Sequence, residues 1–83
     1  MTEEQIRAGL TDIFRDIFDD PALVISDATT ADDIEEWDSL NHINLVVAAQ
    51  QRFGVKFKTA EIEELKNVGE LVHLIGRRLD AGR

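Results

Sequence analysis

Apolar residues in the first eighteen positions recur three or four places apart, at Ile6, Leu10, Ile13, Phe14 and Ile17. That spacing lines one side of a 3.6-residue helix and predicts an amphipathic helix from Thr2 to Phe18. Thr2 and Gln5 suit a capping box, and Asp19-Asp20-Pro21 supplies the stop. The pattern then thins. Residues 20–37 are rich in Asp, Thr and Ala, with Leu23, Ile25, Ile34 and Trp37 spaced as pins that hold a loop onto a core. So long a connection in a small domain is expected to carry function or partial helix, and Thr30 with Asp33 suits a short capped turn. Helical spacing returns from Ser39 to Phe53, with Asp38 as N-cap and Gly54 as C-terminal stop. Leu40, Ile43, Val46, Val47 and Phe53 are expected to face inward, with Ala49 on or near that face. Val55-Lys56-Phe57 alternates like a strand but has no partner, so it reads as an extended connection. A short helix is expected from Thr59 to Leu65, its first turn led by Glu61, Glu63 and Glu64. The last helix opens on Asn67 and Glu70 as a capping box and buries Val68, Leu71, Val72, Ile75 and Leu79. Gly76 within it costs about 1 kcal/mol relative to alanine, which suggests close packing there. The pattern as a whole predicts one all-α domain over residues 1–83: a four-helix bundle with a long first loop and a short third helix.

Composition narrows the setting. The 83 residues include 43% hydrophobic residues, enough for a small core, and no cysteine, which excludes disulfides and thiolate metal sites. The longest apolar run, Leu45 to Ala49, is far too short to cross a membrane. The acidic Met-Thr-Glu-Glu-Gln start lacks a signal peptide's basic and apolar regions, so a cytoplasmic protein is expected. The span from Met1 to just past Leu79 suits a free-standing protein, with an excised domain as the alternative. The net charge of −8 is uneven. Residues 1–40 hold twelve Asp/Glu against two Lys/Arg, and residues 41–83 hold five against seven. Such a field repels nucleic acid and anionic membranes and steers basic protein surfaces to the N-terminal half. A monomer with neither nucleic-acid nor membrane partners is expected.

The candidate chemistry centres on Trp37-Asp38-Ser39-Leu40. A serine opening a helix holds its hydroxyl beside the unpaired N–H groups of the first turn, where the helix dipole favours a bound phosphate. No base lies nearby to activate it, so Ser39 reads as an attachment point rather than a nucleophile. Taken alone, Asp-Ser before an apolar run is also ordinary capping chemistry. His42 lies three residues after Ser39, either contacting a bound phosphate or a partner, or simply solvated. His73 reads as a surface or boundary residue. Two isolated histidines without cysteines make no metal site. Asp27 to Asp38 has the length of a calcium loop but places Asp32 at the required glycine, Ala31 at a ligand position and no glutamate at the end. With no nucleophile–base pair, metal cluster or glycine-rich phosphate loop, an enzyme is not expected.

The order of helix, long loop, Asp38-Ser39-Leu40, second helix, Phe53-Gly54-Val55-Lys56-Phe57, short acidic helix and final amphipathic helix resembles the acyl carrier proteins over essentially the whole chain. Trp37 to Ile43 and Arg52 to Val55 look like free-standing or specialised bacterial carriers. The resemblance implies that Ser39 receives 4′-phosphopantetheine from coenzyme A, with Asp38 and Leu40 in the recognition motif. The arm's thiol would then hold an acyl or aminoacyl thioester for enzymes of fatty-acid, polyketide or specialised metabolism. Implied partners are a phosphopantetheinyl transferase, an acyl- or aminoacyl-loading ligase and downstream acyl-processing enzymes.

This chain departs from the family in its second helix, which usually carries several acids after Asp-Ser-Leu. Here Asn41, Asn44, Gln50, Gln51 and Arg52 stand instead, and acids gather at Asp32, Asp33, Glu35 and Glu36 and at Glu61, Glu63 and Glu64. A dedicated carrier is therefore expected, its partners reading Trp37, Asn41, His42, Asn44, Glu61 and Glu64. Trp37 reads either as lying beside the arm or as anchoring the loop. Ala49, where a larger aliphatic residue is usual, either enlarges a cavity for cargo or is packed over by Phe14 and Phe53. A peptidyl carrier is a neighbouring possibility, although Glu36-Trp37-Asp38 replaces its usual glycine pair. The competing class is an acidic helical adaptor for a basic protein, carrying no prosthetic group.

Overall fold

The computed structural model describes residues 2–81. Residues 1, 82 and 83 of the expected 1–83 domain lie outside the described residues. Four helices follow one another: α1 (Glu3–Ile17), α2 (Ser39–Phe53), α3 (Thr59–Glu63) and α4 (Val68–Ala81). No strand occurs among the described residues. α1 lies against both α2 and α4.

The ends of α1 follow from its sequence. The Thr2 hydroxyl accepts the Gln5 N–H at 3.2 Å, and the Gln5 carbonyl oxygen Oε1 accepts the Thr2 N–H at 2.9 Å. At the far end Asp19 takes a left-handed conformation, φ 51°. The Asp20 N–H returns to the Arg15 carbonyl and the Asp19 N–H to the Asp16 carbonyl, which satisfies carbonyls the helix leaves open. Gly54, at φ 67°, ends α2, and the Val55 N–H returns to the Gln50 carbonyl. α3 stops at Glu63, two residues short of the expected Leu65. In α4 the Asn67 side chain accepts the Glu70 N–H, but the Glu70 carboxylate reaches back to the Lys66 N–H rather than that of Asn67.

The core joins Ile6, Leu10, Ile13 and Phe14 of α1 to Leu45, Ala49 and Phe53 of α2, and to Val68, Leu71, Val72 and Ile75 of α4. Ile25, Ile34 and Trp37 pin the long loop into it, with Leu23 half-buried beside them. The loop is also held by hydrogen bonds. Asp27 accepts from two nitrogens of Arg7 on α1 and gives its carbonyl to the Gly69 N–H, while the Thr29 carbonyl takes the Val68 N–H. Loop carbonyls thus occupy amides that the start of α4 would otherwise leave unpaired. The Thr30–Asp33 turn forms, with both the Thr30 N–H and hydroxyl donating to Asp33.

The inward face of α2 is only partly the one expected: Val46 and Phe53 turn inward as expected, but Leu40, Ile43 and Val47 do not. Leu45, Val46, Ala49 and Phe53 are buried, whereas Leu40, Ile43 and Val47 are 70%, 51% and 44% exposed. Leu40-Ile43-Val47 and Leu45-Ala49-Phe53 form two apolar stripes on nearly opposite sides of a helix that advances about 100° per residue. Both have helical spacing, so periodicity alone does not rank them. The glycine expectation also shifts. A Cβ on Gly76 would meet only Ile6 Cδ1 at 3.8 Å, an ordinary contact. The tight positions are Gly9, where a Cβ would lie 2.8 Å from Phe53 Cζ, and Gly69, where it would lie 3.0 Å from Asp27 Cβ. Ala49 is fully buried, and the Phe53 ring packs onto Gly9 beside it.

Candidate functional site

Asp38 sets the start of α2. It has extended backbone, and its side chain accepts the Asn41 N–H at 2.8 Å while its carbonyl accepts the His42 N–H at 2.8 Å. Those bonds leave the amides of Ser39 and Leu40 at the helix's positive end. Because Asp38 does the capping, the exposed Ser39 hydroxyl is not required for it. The serine stands at the rim of an open cleft of about 560 Å³ between α2, α3 and the end of the long loop. Its lining includes Trp37, Asp38, His42, Ile43, Ile62, Glu63, Leu65 and Lys66.

Two ring systems tie this site together. The Trp37 indole packs edge-on against Phe14 with centroids 5.2 Å apart, and stacks with the His42 imidazole at 6.0 Å. Trp37 Nε1–H donates to His42 Nδ1 at 3.1 Å. An indole nitrogen is only a donor, so Nδ1 accepts and the ring proton sits on Nε2. That Nε2–H then donates to the Ile62 carbonyl at 3.1 Å. His42 thereby joins the loop, α2 and α3; it is neither simply solvated nor aimed at the serine.

The other expected site residues divide by what they touch. Trp37 is buried, anchors the loop and presents little surface to a partner. Half-buried Asn41 donates from Nδ2 to the Glu36 carbonyl at 2.7 Å. Half-buried Glu61 pairs with Arg78 of α4 and accepts the Lys58 N–H at 2.9 Å. The Lys58 N–H and the Arg78 guanidinium hold its carboxyl below the usual glutamate range. Asn44 and Glu64 are exposed, as is His73, whose Nε2 lies 3.3 Å from a Glu3 carboxylate oxygen. The surface that sequence reading missed is the Leu40-Ile43-Val47 stripe, running from Ser39 along the outside of α2. Its signal was the presence of two apolar stripes on one helix.

The site is thus an exposed serine at a helix start, beside an open cleft on a small all-helical scaffold. An exposed hydroxyl, free amides at a helix N-terminus and an adjoining cleft fit a phosphate-linked arm. Residues 8–75 match the family described as the phosphopantetheine attachment site. The chain is 32% identical over 75 residues to an acyl carrier protein of Acidothermus cellulolyticus, covering 90% of this chain and 89% of that one. It is 35% identical over 75 residues to an acyl carrier protein of Renibacterium salmoninarum, covering 89% and 91%. The solution structure of a holo acyl carrier protein from Geobacter metallireducens superposes with a TM-score of 0.86 at 42% identity, covering 93% of this chain and 88% of that one. The chain belongs to the acyl carrier protein family: it is a four-helix carrier of 4′-phosphopantetheine. The arm-free adaptor does not fit that membership. Among the described residues no helix is long and apolar enough to cross a membrane.

Proposed function

We propose that Ser39 is the residue that receives 4′-phosphopantetheine, with Asp38 and Leu40 forming the motif the transferase reads. The observation that carries this reading is the exposed hydroxyl at the first residue of α2, relieved of capping duty by Asp38. The arm supplies a thiol on which an acyl or aminoacyl group is held as a thioester. The chain's own residues do the rest. Asp38 fixes the helix start, the amides of Ser39 and Leu40 favour the phosphodiester, and Lys66 places a cation among the residues lining the cleft.

The partners are a phosphopantetheinyl transferase, a dedicated acyl- or aminoacyl-loading ligase and the enzymes that process the cargo, in the cytoplasm, with the carrier acting as a monomer. They dock on the exposed Leu40, Ile43 and Val47 stripe of α2, with exposed Asn44 on the same helix and exposed Glu64 after α3 as further contacts. Trp37 and Asn41 hold the loop to α2 and His42 ties α2 to α3, while Glu61 fixes α3 to α4. An α2 without acids beyond its cap makes these contacts more apolar than charge-steered.

The test is intact mass after incubation with coenzyme A and a transferase. A gain of one phosphopantetheine that disappears in Ser39→Ala, with the helical circular dichroism retained, is expected. Modification persisting in folded Ser39→Ala would refute the assignment.

A further inference from the structure

The cleft beside Ser39 ends on a layer of side chains that closes it from the interior. Of the buried core residues only Trp37 reaches it; Phe14, Leu45, Leu71 and Ile75, each at most 2% exposed, do not line it. The layer is the Trp37–His42–Ile62 bridge, made of two hydrogen bonds and a stacked pair of rings. A chain passing between α2 and α3 towards the core would have to displace His42. That would cost the part-buried indole N–H its acceptor and the Ile62 carbonyl its donor. The interior beyond is packed: Ala49 is fully buried, and Phe53 packs onto Gly9. Outside the bridge, the cleft carries both signs of charge at Asp38, Glu63 and Lys66, with apolar surface from Ile43, Ile62 and Leu65.

We infer that the Trp37–His42–Ile62 bridge determines cargo specificity, holding the thioester-linked group in the surface cleft and out of the core. The inference rests on Ser39 as the attachment point. This carrier therefore suits short or polar acyl and aminoacyl groups, and does not shelter a long alkyl chain. Trp37 and His42 act by position: neither takes part in a reaction.

The experiment transfers acetyl- and octanoyl-phosphopantetheine from the matching coenzyme A thioesters onto the full chain and checks loading by intact mass. Thermal midpoints and methyl NMR of Leu45, Leu71 and Ile75 are then compared. In the wild type the octanoyl and acetyl forms should agree in midpoint, with core methyls unmoved. In His42→Ala the octanoyl form should gain roughly 4–8 °C over the acetyl form as the alkyl chain enters. Trp37→Phe keeps the ring on Phe14 but removes the N–H donor, and should show the same gain in smaller measure.

An octanoyl wild type with a raised midpoint and shifted core methyls would overturn the inference, whatever the variants do. No octanoyl response in variants that remain helical would overturn the bridge as the determinant. An unchanged mass in the wild type would instead overturn the attachment reading on which the inference stands.

Discussion

The two stripes of α2 allow a direct comparison of Leu45→Ala with Ile43→Ala. The residues lie two places apart, have equal side-chain volume and differ in surroundings: Leu45 is fully buried and Ile43 is 51% exposed. A Leu→Ala change in a packed interior costs about 2–5 kcal/mol through lost transfer energy and a residual cavity. A domain of 83 residues holds roughly 4–12 kcal/mol in total, so that loss is a large share of it. Ile43→Ala removes partly hydrated surface and gains helix propensity, so its cost should stay below about 1 kcal/mol. Urea unfolding followed by circular dichroism at 222 nm reads both, with equal slopes required for a clean comparison. Thermal midpoints should fall by at least about 8 °C for Leu45→Ala and by no more than a few degrees for Ile43→Ala. Turnover by a loading enzyme should follow the opposite order once corrected for folded fraction, because Ile43 belongs to the proposed docking stripe. Equal destabilisation by the two substitutions would refute this account of which face of α2 packs.

Glu61 gives a pH prediction. Its folded-state carboxyl titrates below the ordinary 4.5, so its contribution to stability is complete above that value and is lost as pH falls through the lower folded value. The gap in thermal midpoint between wild type and Glu61→Gln should therefore narrow from pH 6 to pH 3, and a gap that widens on acidification contradicts the pairing. Two glycines of α4 should respond in opposite directions to alanine. Gly76→Ala, with its new methyl in ordinary contact with Ile6, should stabilise by about 0.5–1 kcal/mol, whereas Gly69→Ala, crowded by Asp27, should destabilise by about 1–3 kcal/mol, both read by urea titration. Asn44→Glu should leave stability unchanged and should not improve turnover with the dedicated partner. Asn41→Asp should cost less than about 1 kcal/mol, because the solvent-exposed Glu36 carbonyl loses its donor while the new carboxylate sits at the favourable end of α2.

Most of the local structure was legible from residue type and spacing. The Thr2–Gln5 box, the Asp38 cap, the Gly54 stop and the Thr30–Asp33 turn each depend on atoms within a few residues, and each forms as its sequence indicates. The stripes of α1 and α4 were equally plain, because each of those helices has one dominant apolar side. Trp37 as a loop pin belongs with them, since a bulky ring in a polar stretch has few other ways to leave water.

What sequence spacing left undetermined were the choices between equivalent local solutions. α2 has two apolar stripes, and only the approach of α1 decides that Leu45, Ala49 and Phe53 turn inward while Leu40, Ile43 and Val47 stay outside. His42 gains its role from Trp37 on one side and Ile62, twenty positions away, on the other. Glu61 is claimed by Arg78 of α4, and Gly69, not Gly76, carries the close approach because the loop happens to cross there. Amino-acid sequence alone thus determined where helices start, stop and carry apolar surface, since those are short-range preferences of the backbone. Which apolar surface becomes core, and which polar groups meet, was decided by the tertiary structure, because long-range packing energies depend on neighbours that no local pattern encodes.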